Sequence, residues 1–168
     1  EEAFKIGKDI ASTITAMCRK EIVLKFEKVY MGSILSRKKH YCGNMFEKED
    51  GDGVFEGKGI ETARRDQCLA TVKIQERALK ILFDTRDLTL VRRYMETQWG
   101  RILRGKVPLK DFIFSKEVTL GKYHAGSEPP GALVAMKARD ADPRDVPPQR
   151  WRVPYVAVWR EPNSPIRD

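Results

Sequence analysis

Two short runs hold the side chains best suited to act on a partner. The first is Arg37-Lys38-Lys39-His40-Tyr41, and the second is Lys58-Gly59-Ile60-Glu61-Thr62-Ala63-Arg64-Arg65-Asp66-Gln67-Cys68. Arginine grips a phosphate through two parallel N–H groups. A flexible lysine ammonium can donate to the acceptors that base pairs present in a groove. The chemistry on offer is therefore polyanion binding rather than bond breaking. No Ser/His/Asp set, P-loop or HExxH motif accompanies these runs. The same residues also suit a structural role. Lysines discourage pairing at a strand edge, and Glu61 and Asp66 can form exposed ion pairs that aim Arg64 and Arg65.

Charge distribution favours the polyanion. The net charge of +8 falls unevenly: residues 1–57 hold ten Lys/Arg and ten Asp/Glu, residues 58–106 twelve and six, and residues 107–168 ten and eight. The excess is concentrated in the segment opened by the Arg64-Arg65-Asp66 run, and a localised basic excess marks a polyanion partner. Cys18, Cys42 and Cys68 are widely spaced, and His40 beside Cys42 does not make a zinc ligand set, which argues against zinc and a disulfide scaffold and for a reducing compartment. Asp50-x-Asp52, flanked by glycines, reads as a hairpin turn rather than a metal site. No run of about eighteen apolar residues offers a membrane span. The chain of 168 residues opens Glu1-Glu2-Ala3-Phe4, so it is expected to be a piece of a longer protein.

The elements that would position these residues follow from periodicity. Residues 3–18 read as an amphipathic helix whose stripe, Ile6, Ile10, Ile14 and Met17, should be core. Residues 21–30 alternate as a strand, with Leu24, Phe26 and Tyr30 on one face. Residues 37–47 and 54–60 read as two more strands. In the first of these, alternation would put Lys39 and Tyr41 on one face and Lys38 and His40 on the other. Helices are expected over 62–83 and about 88–104. The second should bury Leu88, Val91, Met95, Trp99, Ile102 and Leu103, turn Arg93, Arg101 and Arg104 outward, and pack on the first as a hairpin. A strand over 111–118, a short helix near 133–139 between loops, a last strand over 155–159 and a frayed tail over 162–168 complete the reading. The fold class is α+β.

The two opening runs resemble the Lys-Lys-Arg-Tyr and Lys-Gly-[Ile/Val]-Glu-Thr-x-Arg-Arg-Asp-x-Cys motifs of B-family DNA polymerases. Leu24-Lys25-Phe26-Glu27-Lys28-Val29-Tyr30, Phe83-Asp84-Thr85-Arg86-Asp87, Asp111-Phe112-Ile113-Phe114-Ser115-Lys116-Glu117 and Arg152-Val153-Pro154-Tyr155-Val156 are similar to further segments of that family. The likeness is strong over 3–118, faint over 119–150, and leans to the family's translesion branch. It implies the C-terminal part of a palm over 1–60 and a truncated thumb over 61–168, with antiparallel palm strands and a packed helix before a mainly helical thumb. It implies primer–template DNA as partner, gripped by Lys38, Lys39, Tyr41, Lys58, Arg64 and Arg65, with the second Lys of the motif at the minor groove and its Tyr at a primer phosphate. Glu27 would lie near the metal region, or else pair with Lys25 or Lys28. Magnesium, the deoxynucleotide, accessory polymerase subunits and a nuclear location belong to the parent enzyme. The family's Tyr-x-Asp-Thr-Asp-Ser motif is expected upstream of Glu1, leaving this piece without a catalytic centre. His40 departs from the family's Arg, which puts an ion pair or packing contact there in question. Two other readings stay open: a stand-alone basic nucleic-acid-binding module, and a scaffold for accessory subunits.

Overall fold

The computed structural model describes residues 1–159, 161 and 162. It has the α+β class expected: four helices and two antiparallel sheets among the described residues. The chain forms two compact units, one of Glu1–Ile60 with Lys80–Asp87, the other of Glu61–Leu79 with the segment from Leu88 onward.

In the first unit, helix α1 (Glu2–Met17) forms where the periodicity places it. Its stripe is not core, however: Ile6, Ile10, Ile14 and Met17 are between 41% and 82% exposed, and only Phe4 is buried. Periodicity reports an apolar face, not what covers it. The Phe4 ring meets Phe26 edge to face at 5.6 Å, and Gly7 leaves room for the same ring. The strand expected over 21–30 is absent before Val29. The Leu24 N–H donates to Thr15 Oγ1 at 3.0 Å and Phe26 turns to α1, so this segment is tied to a helix and not to a neighbouring strand.

Strands β1 (Val29–Arg37), β2 (His40–Phe46) and β3 (Val54–Lys58) form an antiparallel sheet in that order. β1 and β2 join through a two-residue turn at Lys38-Lys39, with Arg37 opposite His40. The expected strand over 37–47 is thus shortened, and the two lysines lie outside it. The connection over 47–53 closes the β2–β3 hairpin, as the Asp50-x-Asp52 run suggested. Phe83, tilted against Phe55 at 6.3 Å, covers the side of the sheet where Gly32 makes space.

In the second unit, Glu61–Ala63 is a 3-10 turn, and helix α2 (Leu69–Thr85) starts later than expected. Arg64 and Arg65 therefore sit on the lead-in loop. Helix α3 (Leu88–Leu103) ends where Gly105, at φ 65°, lets the Gly105 N–H reach the Ile102 carbonyl and the Lys106 N–H the Arg101 carbonyl. The expected burial of α3 fails. No residue of it is buried, and Leu88, Trp99 and Leu103 are 70%, 54% and 87% exposed. Val91, Met95 and Ile102 instead line an apolar groove of about 590 Å³ with Ile74, Ala78 and Leu79 of α2. The pair is splayed around a groove, not closed as a hairpin.

A 3-10 turn (Leu109–Phe112) precedes strand β4 (Phe114–Val118), which pairs antiparallel with β5 (Trp151–Tyr155). The last strand thus lies four residues earlier than the 155–159 expected. Helix α4 (Pro130–Ala141) is longer than foreseen, because Pro129 and Pro130, read as loop, open it. Val118, Ala132, Ala135 and Val153 form the unit's buried core. Of the tail expected to fray, 163–168 lies outside the described residues.

Candidate nucleic-acid interface

Lys38 and Lys39 occupy the tip of the β1–β2 hairpin, both exposed. Lys39 has φ 65°, the left-handed region that costs an L-residue about 1 kcal/mol or more. Gly59, itself at φ 70°, lies beneath it, and a Cβ on Gly59 would overlap the Lys39 carbonyl oxygen. The glycine of the second motif thus seats the turn of the first. Because the lysines form a turn, strand alternation does not assign them to opposite faces, which corrects the reading made from the sequence. His40 places Nδ1 3.3 Å from the Lys38 carbonyl and Nε2 3.2 Å from Arg37 Nη2, so its ring braces the turn from both sides.

Tyr41, half-buried, follows on β2 directly opposite Lys58 of β3, and cross-strand partners share a face. The Tyr30 ring stands edge-on to Tyr41 at 6.2 Å. The space comes from Gly43, where a Cβ would crowd Tyr30 Cδ1. On this face lies a carboxylate that sequence reasoning missed. Glu56 accepts from Lys28 Nζ at 2.8 and 3.0 Å, from the Tyr30 hydroxyl, and pairs with Lys58 Nζ at 3.0 Å. The Lys28 hydrogen bond, then that of Tyr30, holds the Glu56 carboxyl down at about 2. Burial, reinforced by the Glu56 carboxylate, pushes the Tyr30 phenol up to about 12. The strand alternation of 54–58 places Glu56 and Lys58 on one face, a pattern from which the pair could have been found. Glu27 is exposed and outside any strand; of its two expected partners, Lys25 and Lys28, the second is taken by Glu56.

In the other unit, Arg64 donates to Asp66 through Nε at 2.8 Å and Nη2 at 2.5 Å. This fork raises the Arg64 pKa and lowers that of Asp66. Here the acid does aim the base. Glu61 accepts from Gln75 Nε2 at 2.9 Å, and Arg65 stays exposed beside the fork. Lys38, Lys39, Tyr41 and Lys58 are therefore gathered at one end of the three-stranded sheet, while Arg64 and Arg65 belong to the second unit.

Known proteins place the chain in a family. A model described as DNA polymerase family B matches residues 1–168. The DNA polymerase zeta catalytic subunit of Arabidopsis thaliana is 44% identical over 172 residues, covering 100% of this chain and 9% of that protein. Its Homo sapiens counterpart is 45% identical over 168 residues, covering 99% of this chain and 5% of the relative. The DNA polymerase delta catalytic subunit of Caenorhabditis elegans is 34% identical over 166 residues, 98% of this chain and 15% of the relative. The chain thus spans less than a tenth of the zeta subunits cited. With a family match over its whole length, the chain belongs to DNA polymerase family B.

Proposed function

We propose that this chain is the duplex-gripping part of a zeta-like, translesion DNA-directed DNA polymerase. Residues 1–60 serve as the C-terminal part of the palm and 61–168 as thumb. Lys38, Lys39, Tyr41 and Lys58 hold newly made duplex on the palm side, and Arg64 and Arg65 meet backbone phosphates on the thumb side. The observation that carries the reading is the Lys38-Lys39 turn: two exposed ammonium groups, Lys39 on a strained backbone seated on Gly59, with Tyr41 two residues further on. A lysine kept where glycine would be easier points to its amine. Minor-groove acceptors occupy similar positions in every correct pair, so a single donor can test pairing without reading sequence.

Among the described residues no group of three or more His, Cys, Asp or Glu could hold a metal ion. In this reading the magnesium ions and the deoxynucleotide are held by carboxylates elsewhere in the parent, and the piece alone does not extend a primer. Accessory polymerase subunits as partners are supported by the exposed Trp99 and Leu103 of α3, and a nuclear location follows from the proposed role.

The test uses Lys39 in the full-length protein. Lys39→Ala and Lys39→Gly should both impair extension from paired primer termini, losing a contact worth on the order of 1–2 kcal/mol, to a similar extent on all template sequences. Lys38→Ala should cost less. Lys39→Gly suits the left-handed backbone, so its turn stays intact while the amine is gone. Normal extension by Lys39→Gly would refute the groove contact.

A further inference from the structure

Beside the Arg64–Asp66 fork, the second unit has an open pocket of about 330 Å³ lined by Arg64, Arg65, Asp66, Lys116, Glu117 and Arg152. Four cations face two carboxylates. Asp66 is consumed by Arg64, and its carboxyl is held down further by the nearby charge of Lys116. Glu117 stands opposite Arg152 in the β4–β5 register, yet the two make no ion pair within 4.0 Å. Among the described residues, Arg65, Lys116 and Arg152 thus line one cavity without a carboxylate bonded to any of them. Like charges gathered this way repel, and an anion between them removes that cost.

The platform is built for such a load. Lys116 and Arg152 stand on paired strands whose neighbours Val118 and Val153 are in the buried core, so their backbones are fixed. Arg64, locked by Asp66, fixes the course of the loop that carries Arg65.

We propose that Arg65, Lys116 and Arg152 form a cradle for a backbone phosphodiester of bound duplex, with the β4–β5 hairpin supplying two contacts that the Arg64-Arg65-Asp66 loop lacks. The inference rests on the duplex-gripping reading above and adds Lys116 and Arg152 to it. A phosphodiester carries a single negative charge and reaches the pocket as part of a strand, which suits an open, shallow site. A free polyphosphate presents the same oxygens and is the competing source.

Duplex binding by the full-length protein, measured across a salt series, decides the matter. For wild type, log Kobs should fall steeply with log salt. Lys116→Gln/Arg152→Gln should reduce that slope by about 1.8, two contacts at about 0.9 each, equally for all duplex sequences. Arg152→Lys, which keeps a point charge, should restore half of that change when Lys116 stays mutated. Lys116 is exposed and Arg152 half-buried, and Gln keeps much of each side chain's length, so the thermal midpoint should move little. A double variant that keeps the wild-type slope overturns the cradle while leaving the grip reading intact. A wild-type slope near zero overturns the grip reading itself. Inorganic pyrophosphate that displaces duplex from wild type but not from the double variant would assign the pocket to free polyphosphate and also overturn the proposal.

Discussion

Replacing Glu56 by Gln tests whether one carboxylate holds this face of the three-stranded sheet together. The amide keeps the side chain's shape and can still accept the Tyr30 hydrogen bond. It loses the charge that Lys28 and Lys58 share from 2.8 and 3.0 Å. The two ammonium groups then face each other without an anion. A carboxyl lowered from 4.5 to about 2 marks an upper bound of about 3 kcal/mol. Water reaches the rim of the cluster, where Lys58 is exposed, so the measurable share should be about 1–2 kcal/mol. The sign is fixed by linkage. The folded pKa is depressed, so the stabilisation is full above the unfolded value near 4.5 and is lost as pH falls toward about 2. Native-state amide hydrogen exchange across β2 and β3 in the full-length protein reads this locally. Glu56→Gln should lower protection there at pH 7, and the gap from wild type should shrink by more than half at pH 3. A gap of the same size at both pH values, or none at pH 7, would refute the argument.

Two further substitutions probe the supports around the site. Gly59→Ala places a Cβ at positive φ against the Lys39 carbonyl; it should destabilise the β2–β3 end by about 2 kcal/mol, and unchanged exchange at His40 and Tyr41 would contradict it. Asp111 is buried and takes a hydrogen bond from the exposed Lys73 at 2.8 Å. Lys73→Ala strands that carboxylate and should cost about 1–3 kcal/mol, more than Asp111→Ala, which leaves a lysine free to face water; the reverse order in thermal unfolding would overturn this.

The helices were legible because 3.6-residue periodicity is a property of the segment alone. α1, α2 and α3 all appear, with α2 starting late because Glu61–Ala63 coils separately. Burial was not legible, since Ile10 and Trp99 advertise an apolar face without naming a cover for it. Residues 21–28 show the converse failure. Leu24 and Phe26 alternate as a strand would, but a strand needs a neighbour to take its N–H groups, and Thr15 takes that of Leu24 instead. The prolines at 129 and 130 misled for a third reason: proline punctuates a chain at helix starts as well as in loops.

The site was half legible, and the missing half is tertiary. Motif residues Lys38, Lys39, Tyr41 and Lys58 do meet at one end of a sheet, but the turn that presents the lysines carries no Asn or Gly of its own to announce it. The glycine it needs lies on another strand: Gly59 clears the space under the Lys39 carbonyl. The spacing between the two motifs is thus a folding requirement as much as a functional one. A lysine at φ 65° with a glycine beneath it is a local strain that sheet pairing on both sides must hold. Glu56 adds to that hold from the same strand as Lys58, tying β3 to Tyr30 of β1 and to Lys28 just before it. Glu56, which sequence reasoning missed, thus helps to fix the backbone from which the lysines reach out.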